Sequence, residues 1–131
     1  MSTAANGVTF ASAHPDHIVR IWDSRVTGTS VVKLSLRGHT GWVSSVAWQP
    51  ASSHVLVSAG YEGNLNVWDI RSSSALHTIA AHSDKALAVA WEAAAGGKAA
   101  AGAASRRCLS GGADNRVRFF RMAADGDEAD A

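Results

Sequence analysis

A chain of 131 residues, 47% apolar and 18% charged, falls in the single-domain size range and has enough apolar side chains to build a core. The formal charge of +1 hides an asymmetry: Asp125, Asp127, Glu128 and Asp130 crowd the C-terminus, which leaves +5 on the rest of the chain. One cysteine, Cys108, excludes an internal disulfide framework, and the polar start (residues 1–7) lacks the apolar stretch of a signal peptide. No apolar run is long enough to span a bilayer as a helix, so the expectation is a soluble, intracellular protein.

In chain order, most segments read as short strands. Residues 8–11 and 18–23 form a pair around a turn at Pro15-Asp16, and residues 31–36 follow as a third strand. A complete set of four comes next, at 42–48, 55–58, 65–70 and 75–79, separated by Gly, Ser, Pro and Asn turns. The pattern restarts at 86–91, 108–111 and 117–121. Between the first two of these lies an Ala/Gly-rich insertion, residues 92–105, whose Gly pairs and missing amphipathic stripe favour a flexible surface segment. Strands this short, rich in Val, Trp and Phe, predict an all-β repeat architecture rather than βαβ units.

One block recurs three times: Ser12–Asp16–Trp22, Ser58–Glu62–Trp68 and Ser110–Asp114–Phe120, with the same spacing in each copy. Two copies are preceded by a His on a short turn, His39 and His82, which stand 43 residues apart. That interval matches the roughly 40–45 residue period of a four-stranded propeller blade. The expected division is a partial, three-stranded blade over 1–37 lacking its innermost strand and a complete blade over 38–80. A third blade over 81–122 lacks its outermost strand, and 123–131 is a disordered acidic tail. Closed propellers need about four to eight blades, so the ring is expected to be incomplete: a piece of a longer propeller or, alternatively, an oligomer completing the ring from several copies.

The repeated polar residues fit a structural relay. A His on the entering turn bonds the Ser of the second strand, the Ser takes the indole N–H of the third-strand Trp, and the tight-turn acid holds the other His nitrogen. In the second copy these are His39, Ser58, Glu62 and Trp68; in the third, His82, Ser110 and Asp114, where Phe120 offers no indole; in the first, Ser12, Asp16 and Trp22. A Ser-His-acid trio that repeats once per blade is not a catalytic triad, and no G-x-S-x-G elbow is present, so no enzyme activity is expected. His14, His17, His54 and His77 lack Cys or carboxylate partners at metal-ligand spacing; no metal site and no cofactor are expected.

Gly38-His39, Trp22-Asp23 and Trp68-Asp69 resemble the signature dipeptides of WD-repeat β-propellers across residues 8–122. Longer stretches, His39-Thr40-Gly41-Trp42-Val43, Ala81-His82-Ser83-Asp84-Lys85 and Leu109-Ser110-Gly111-Gly112-Ala113-Asp114-Asn115, are similar to the C-terminal blades of the WD-repeat protein twelve, or Ytm, family of eukaryotic ribosome-biogenesis factors. The resemblance implies a nucleolar and nucleoplasmic scaffold. Its implied partners are pescadillo-type and Bop/Erb-type proteins in large-subunit (60S) rRNA maturation, with the pre-60S particle, and rRNA as a further contact. The family also carries a ubiquitin-like domain that engages an AAA ATPase, and the residues here contain no counterpart. A second resemblance is to the D-x5-W-D-x-R box of cullin-RING ligase substrate receptors, at Asp16, Trp22, Asp23 and Arg25, with Trp68-Asp69-Ile70-Arg71 a weaker copy.

Within this reading Trp42, Tyr61 and Lys85 are the candidate protein contacts, because they flank the relay positions at the rim and aromatics and cations are favoured anchors. Arg116 and Arg118 are the candidate RNA phosphate contacts, placed on one face of one strand by their alternation.

Overall fold

Alternating Val, Ile, Leu and Trp give each strand one face for one neighbour and the other face for the next, and the sheets stack on that principle. The computed structural model describes residues 1–24, 32–50, 52, 54–72, 74–92, 107–122 and 128–129. Among these residues every regular element is a strand. The first sheet has the order β1 (Ser2–Thr3), β2 (Thr9–Ala13), β3 (Ile18–Asp23) and β4 (Val32–Arg37). The second runs β5 (Val43–Trp48), β6 (Val55–Gly60), β7 (Asn64–Asp69) and β8 (Ala75–Ala80). The third runs β9 (Ala86–Trp91), β10 (Arg107–Gly112), β11 (Val117–Met122) and β12 (Glu128–Ala129). All pairings are antiparallel between chain neighbours.

Two expectations are corrected here. The first blade has an innermost strand, with Ser2 opposite Ala11 and Thr3 opposite Phe10. The third has an outermost one, with Arg121 opposite Ala129 and Met122 opposite Glu128. Both strands are two residues long and polar or small, too short to carry a period-two signal. Part of the tail expected to be disordered is therefore paired; the rest of 123–131, and residues 93–105 of the insertion, lie outside the described residues.

Two cores sit between the sheets. Ala11, Val19, Ile21 and Leu36 of the first sheet meet Val43, Val46, Trp48, Leu56 and Trp68 of the second. The opposite face of the second sheet, with Val57, Ala59, Leu65, Val67 and Ile79, meets Ala86 and Val89 of the third, with Trp91 and Phe120 packed alongside. Indoles latch the sheets together from the innermost strands. Trp48 donates to the Ser2 carbonyl at 3.2 Å, and Trp91 donates to the Ala47 carbonyl at 3.0 Å. Each latch crosses to the preceding sheet.

The turns between the second and third strands of each sheet share one backbone requirement. His17, Gly63 and Asn115 occupy the same place, each right after the turn acid, with φ of 74°, 93° and 65°. Left-handed backbone suits Gly, and Asn and His are among the residues that tolerate it best.

Candidate functional site

Each relay is built where a turn and two strands converge. In the second sheet His39 follows Gly38 on the entering turn, and its ring is fully covered. Its Nε2 lies 2.6 Å from Ser58 Oγ, and its Nδ1 lies 2.7 Å from Glu62 Oε2. Trp68 Nε1 donates to Ser58 Oγ at 2.8 Å. One neutral tautomer satisfies the chain: the indole N–H donates to Ser58, the Ser58 hydroxyl to His39 Nε2, and His39 Nδ1–H to the Glu62 carboxylate. Burial lowers the His39 pKa more than the Glu62 bond raises it, so this neutral form is favoured. Glu62 also accepts the Thr40 N–H at 3.3 Å, while its Oε1 is buried without a partner among the described residues.

The third sheet repeats the arrangement. His82 Nε2 lies 2.8 Å from Ser110 Oγ, and its Nδ1 lies 2.9 Å from Asp114 Oδ1. Asp114 also accepts the N–H groups of Ser83 and Arg116. Desolvation pushes the Asp114 pKa up, but the bonds from His82, Ser83 and Arg116 together bring it below the ordinary value. The first sheet departs from the pattern. Trp22 Nε1 donates to Ser12 Oγ at 2.7 Å, but the ring beside Ser12 is His14, with Nε2 at 2.7 Å. Asp16 makes no bond to a histidine; it pairs with Arg20 at 2.6 Å, which lowers its pKa, and accepts the Ile18 N–H. The expected place of Asp16 in the relay is corrected accordingly: its carboxylate is engaged by the Arg20 guanidinium and not by a histidine.

Two glycines, absent from the sequence-derived site, make the close approach possible. A Cβ on Gly60 would meet Glu62 Oε1 and, at 2.5 Å, His39 Nδ1; on Gly112 it would meet His82 Nδ1 at 2.5 Å. They occupy the same position in successive sheets, the last residue of the second strand.

At the rim beside the relays, the three candidate contact residues form one cluster. The rings of Trp42 and Tyr61 stack at 5.7 Å with an interplanar angle of 21°, and Lys85 Nζ lies 5.5 Å from the Tyr61 centroid. Trp42 is 55% exposed and Tyr61 37%. Backbone bonds hold the platform: Tyr61 N–H donates to the Trp42 carbonyl, and Ala113 N–H to the Lys85 carbonyl, both at 2.8 Å. Trp42 and Lys85 are equivalent residues of adjacent blades, so the cluster bridges the seam between the second and third sheets.

Arg118 lies on β11 opposite Ser110, whereas Arg116 precedes the strand, its N–H drawn to Asp114. The expectation that both sit on one strand is therefore revised, though both are exposed. Arg25 of the D-x5-W-D-x-R box lies outside the described residues, and Arg71 of the weaker copy is clamped by Asp69 at 2.6 Å. Cys108 is buried, and burial pushes its thiol pKa up to about 11, away from nucleophilic use. Among the described residues no group of three His, Cys, Asp or Glu could hold a metal ion.

Stacked four-stranded antiparallel sheets, pinned by His–Ser–Trp relays and His–acid turns, define a class: the chain has the architecture of a partial WD-repeat β-propeller. The WD domain, G-beta repeat family matches residues 30–69. The chain is also similar to proteins named ribosome biogenesis protein WDR12 homolog. Identity is 39% to that of Ixodes scapularis, over 83% of this chain and 23% of the relative. It is 39% to that of Chlamydomonas reinhardtii, over 91% and 26%, and 33% to that of Arabidopsis thaliana, over 83% and 23%. The chain thus spans about a quarter of the length of these curated relatives.

Proposed function

We propose that the chain is a non-enzymatic WD-repeat scaffold of ribosome biogenesis, acting in large-subunit (60S) rRNA maturation and assembly in the nucleolus and nucleoplasm. The observation that carries this reading is the 39% identity to ribosome biogenesis proteins over as much as 91% of the chain. The geometry supports a binding role: His39, Ser58, Trp68, His82 and Ser110 are consumed in holding the blades, while the exposed Trp42–Tyr61–Lys85 cluster faces outward at the rim. Its partners on this reading are pescadillo-type and Bop/Erb-type proteins on the pre-60S particle. Such a platform supplies a partner with two aromatic surfaces, of the residue types enriched at binding hot spots, and a cation beside them.

Affinity purification of the chain tests the proposal. Pescadillo-type and pre-60S proteins should co-purify, and the double substitution Trp42→Ala, Lys85→Ala should reduce their recovery about tenfold or more. Recovery of a cullin-RING linker protein in their place would overturn it. Arg116 and Arg118 are the proposed rRNA phosphate contacts; replacing both with Ala should flatten the salt dependence of RNA binding, and an unchanged slope removes them from that role.

A further inference from the structure

The second and third sheets turn the same corner at the rim and fill it differently. Trp42 enters the innermost strand of the second sheet and Lys85 that of the third. The same backbone bond stands behind each: Tyr61 N–H donates to the Trp42 carbonyl and Ala113 N–H to the Lys85 carbonyl. Tyr61 and Ala113 are therefore counterparts as well. The second corner holds two stacked rings, whereas the third holds a lysine beside a methyl group. Lys85, with only Ala113 in that place, lies over the Tyr61 ring of the neighbouring blade. Along the rim the exposed order is thus indole, phenol, ammonium: a planar apolar stretch that ends in a charge.

The charges around this stretch leave its third-sheet end positive. The turn acids of the rim are engaged within the protein, Asp16 by Arg20, Glu62 by His39 and Asp114 by His82. Asp84 is exposed and accepts the Lys85 N–H at 2.8 Å. Against it stand two exposed cations, Lys85 and Arg116, and among the described residues neither side chain pairs with a carboxylate. Asp114 accepts the N–H groups of both Ser83 and Arg116, which brings the segments carrying the two cations together at one turn.

We propose that this rim takes an acidic segment of a partner protein, with a planar side chain laid on the Trp42 indole and an Asp or Glu carboxylate paired with Lys85 in the field of Arg116. The inference rests on the scaffold reading above and supplies the chemistry of what the scaffold holds. Charge complementarity selects the occupant: a basic segment would meet both cations and find Asp84 as its counterion. Single-stranded RNA also offers rings and anions, but it binds through several phosphate contacts and bases stacked in succession. Here Asp84 opposes phosphates, and Lys85 already lies on Tyr61, so the stacking surface is chiefly the more exposed indole.

Selection of random peptides displayed on phage against the protein tests it. The enriched peptides should carry Asp or Glu close to Phe, Tyr or Trp. Their dissociation constants should rise about tenfold or more on Lys85→Gln and on Trp42→Ala, and stay near the wild-type value on Lys85→Arg. Circular dichroism checks that each variant keeps its strand content, and the Lys85 pair carries the test if Trp42→Ala fails to fold. Neutral or basic enriched peptides, no enrichment, or acidic peptides that bind Lys85→Gln as tightly as the wild type overturn the proposal. So does an oligouridylate that binds the wild type more tightly than the selected peptides and loses that binding on Trp42→Ala, since the rim would then be an RNA site. The scaffold reading fails separately, if pre-60S proteins do not co-purify with the wild-type protein whatever peptides are selected.

Discussion

At the scale of single residues, the relays place strict limits on what their neighbours can be. Gly60→Ala forces a Cβ against Glu62 Oε1 and His39 Nδ1, so the His39–Glu62 bond must open and two buried polar groups lose their partners. A loss of about 2 kcal/mol is expected in chemical denaturation. Gly111→Ala is the control: its Cβ meets nothing within 4 Å, and little change is expected. His39 also makes stability depend on pH. Burial holds its folded pKa below the ordinary 6.5, opposed by Glu62 and helped by His17, the charged groups that act on it. The unfolded chain then binds the extra proton, so the contribution is complete above about pH 6.5 and drains away as pH falls towards the folded value. Melting at pH 5.5 should occur at lower temperature than at pH 7.5, and His39→Gln should flatten that difference even though it lowers both values.

At the scale of elements, equivalence between blades shows which substitutions a turn accepts. His17 holds a left-handed conformation that Gly63 supplies without a side chain in the next blade. Left-handed backbone costs a non-glycine residue about 1–2 kcal/mol, part of which glycine returns as chain entropy. His17→Gly is therefore expected to raise stability by about 0.5–1 kcal/mol in the same denaturation measurement. The elements also show why some of the site was readable in advance. Ser58, Glu62 and Trp68 recur at fixed spacing because two strands and one tight turn always separate them. His14 and Asp16 were not readable as they stand, because the first blade swaps a long-range partner for local ones, and a local swap leaves no periodic trace. The strands Ser2–Thr3 and Glu128–Ala129 were hidden for a similar reason: their pairing is supplied by the neighbouring strand and not by any pattern of their own. Lys85 over Tyr61 joins two blades across the seam, a relation that spacing along the chain cannot express.

At the scale of the whole molecule, the three sheets of the described residues enclose two cores, one on each face of the second sheet. The indole latches add a sense of direction. Trp48 reaches back to Ser2, and Trp91 reaches back to Ala47; neither waits for anything downstream. As the polypeptide leaves the ribosome N-terminus first, each newly emerged wedge can clip onto one already formed, so synthesis and assembly advance together like a ratchet.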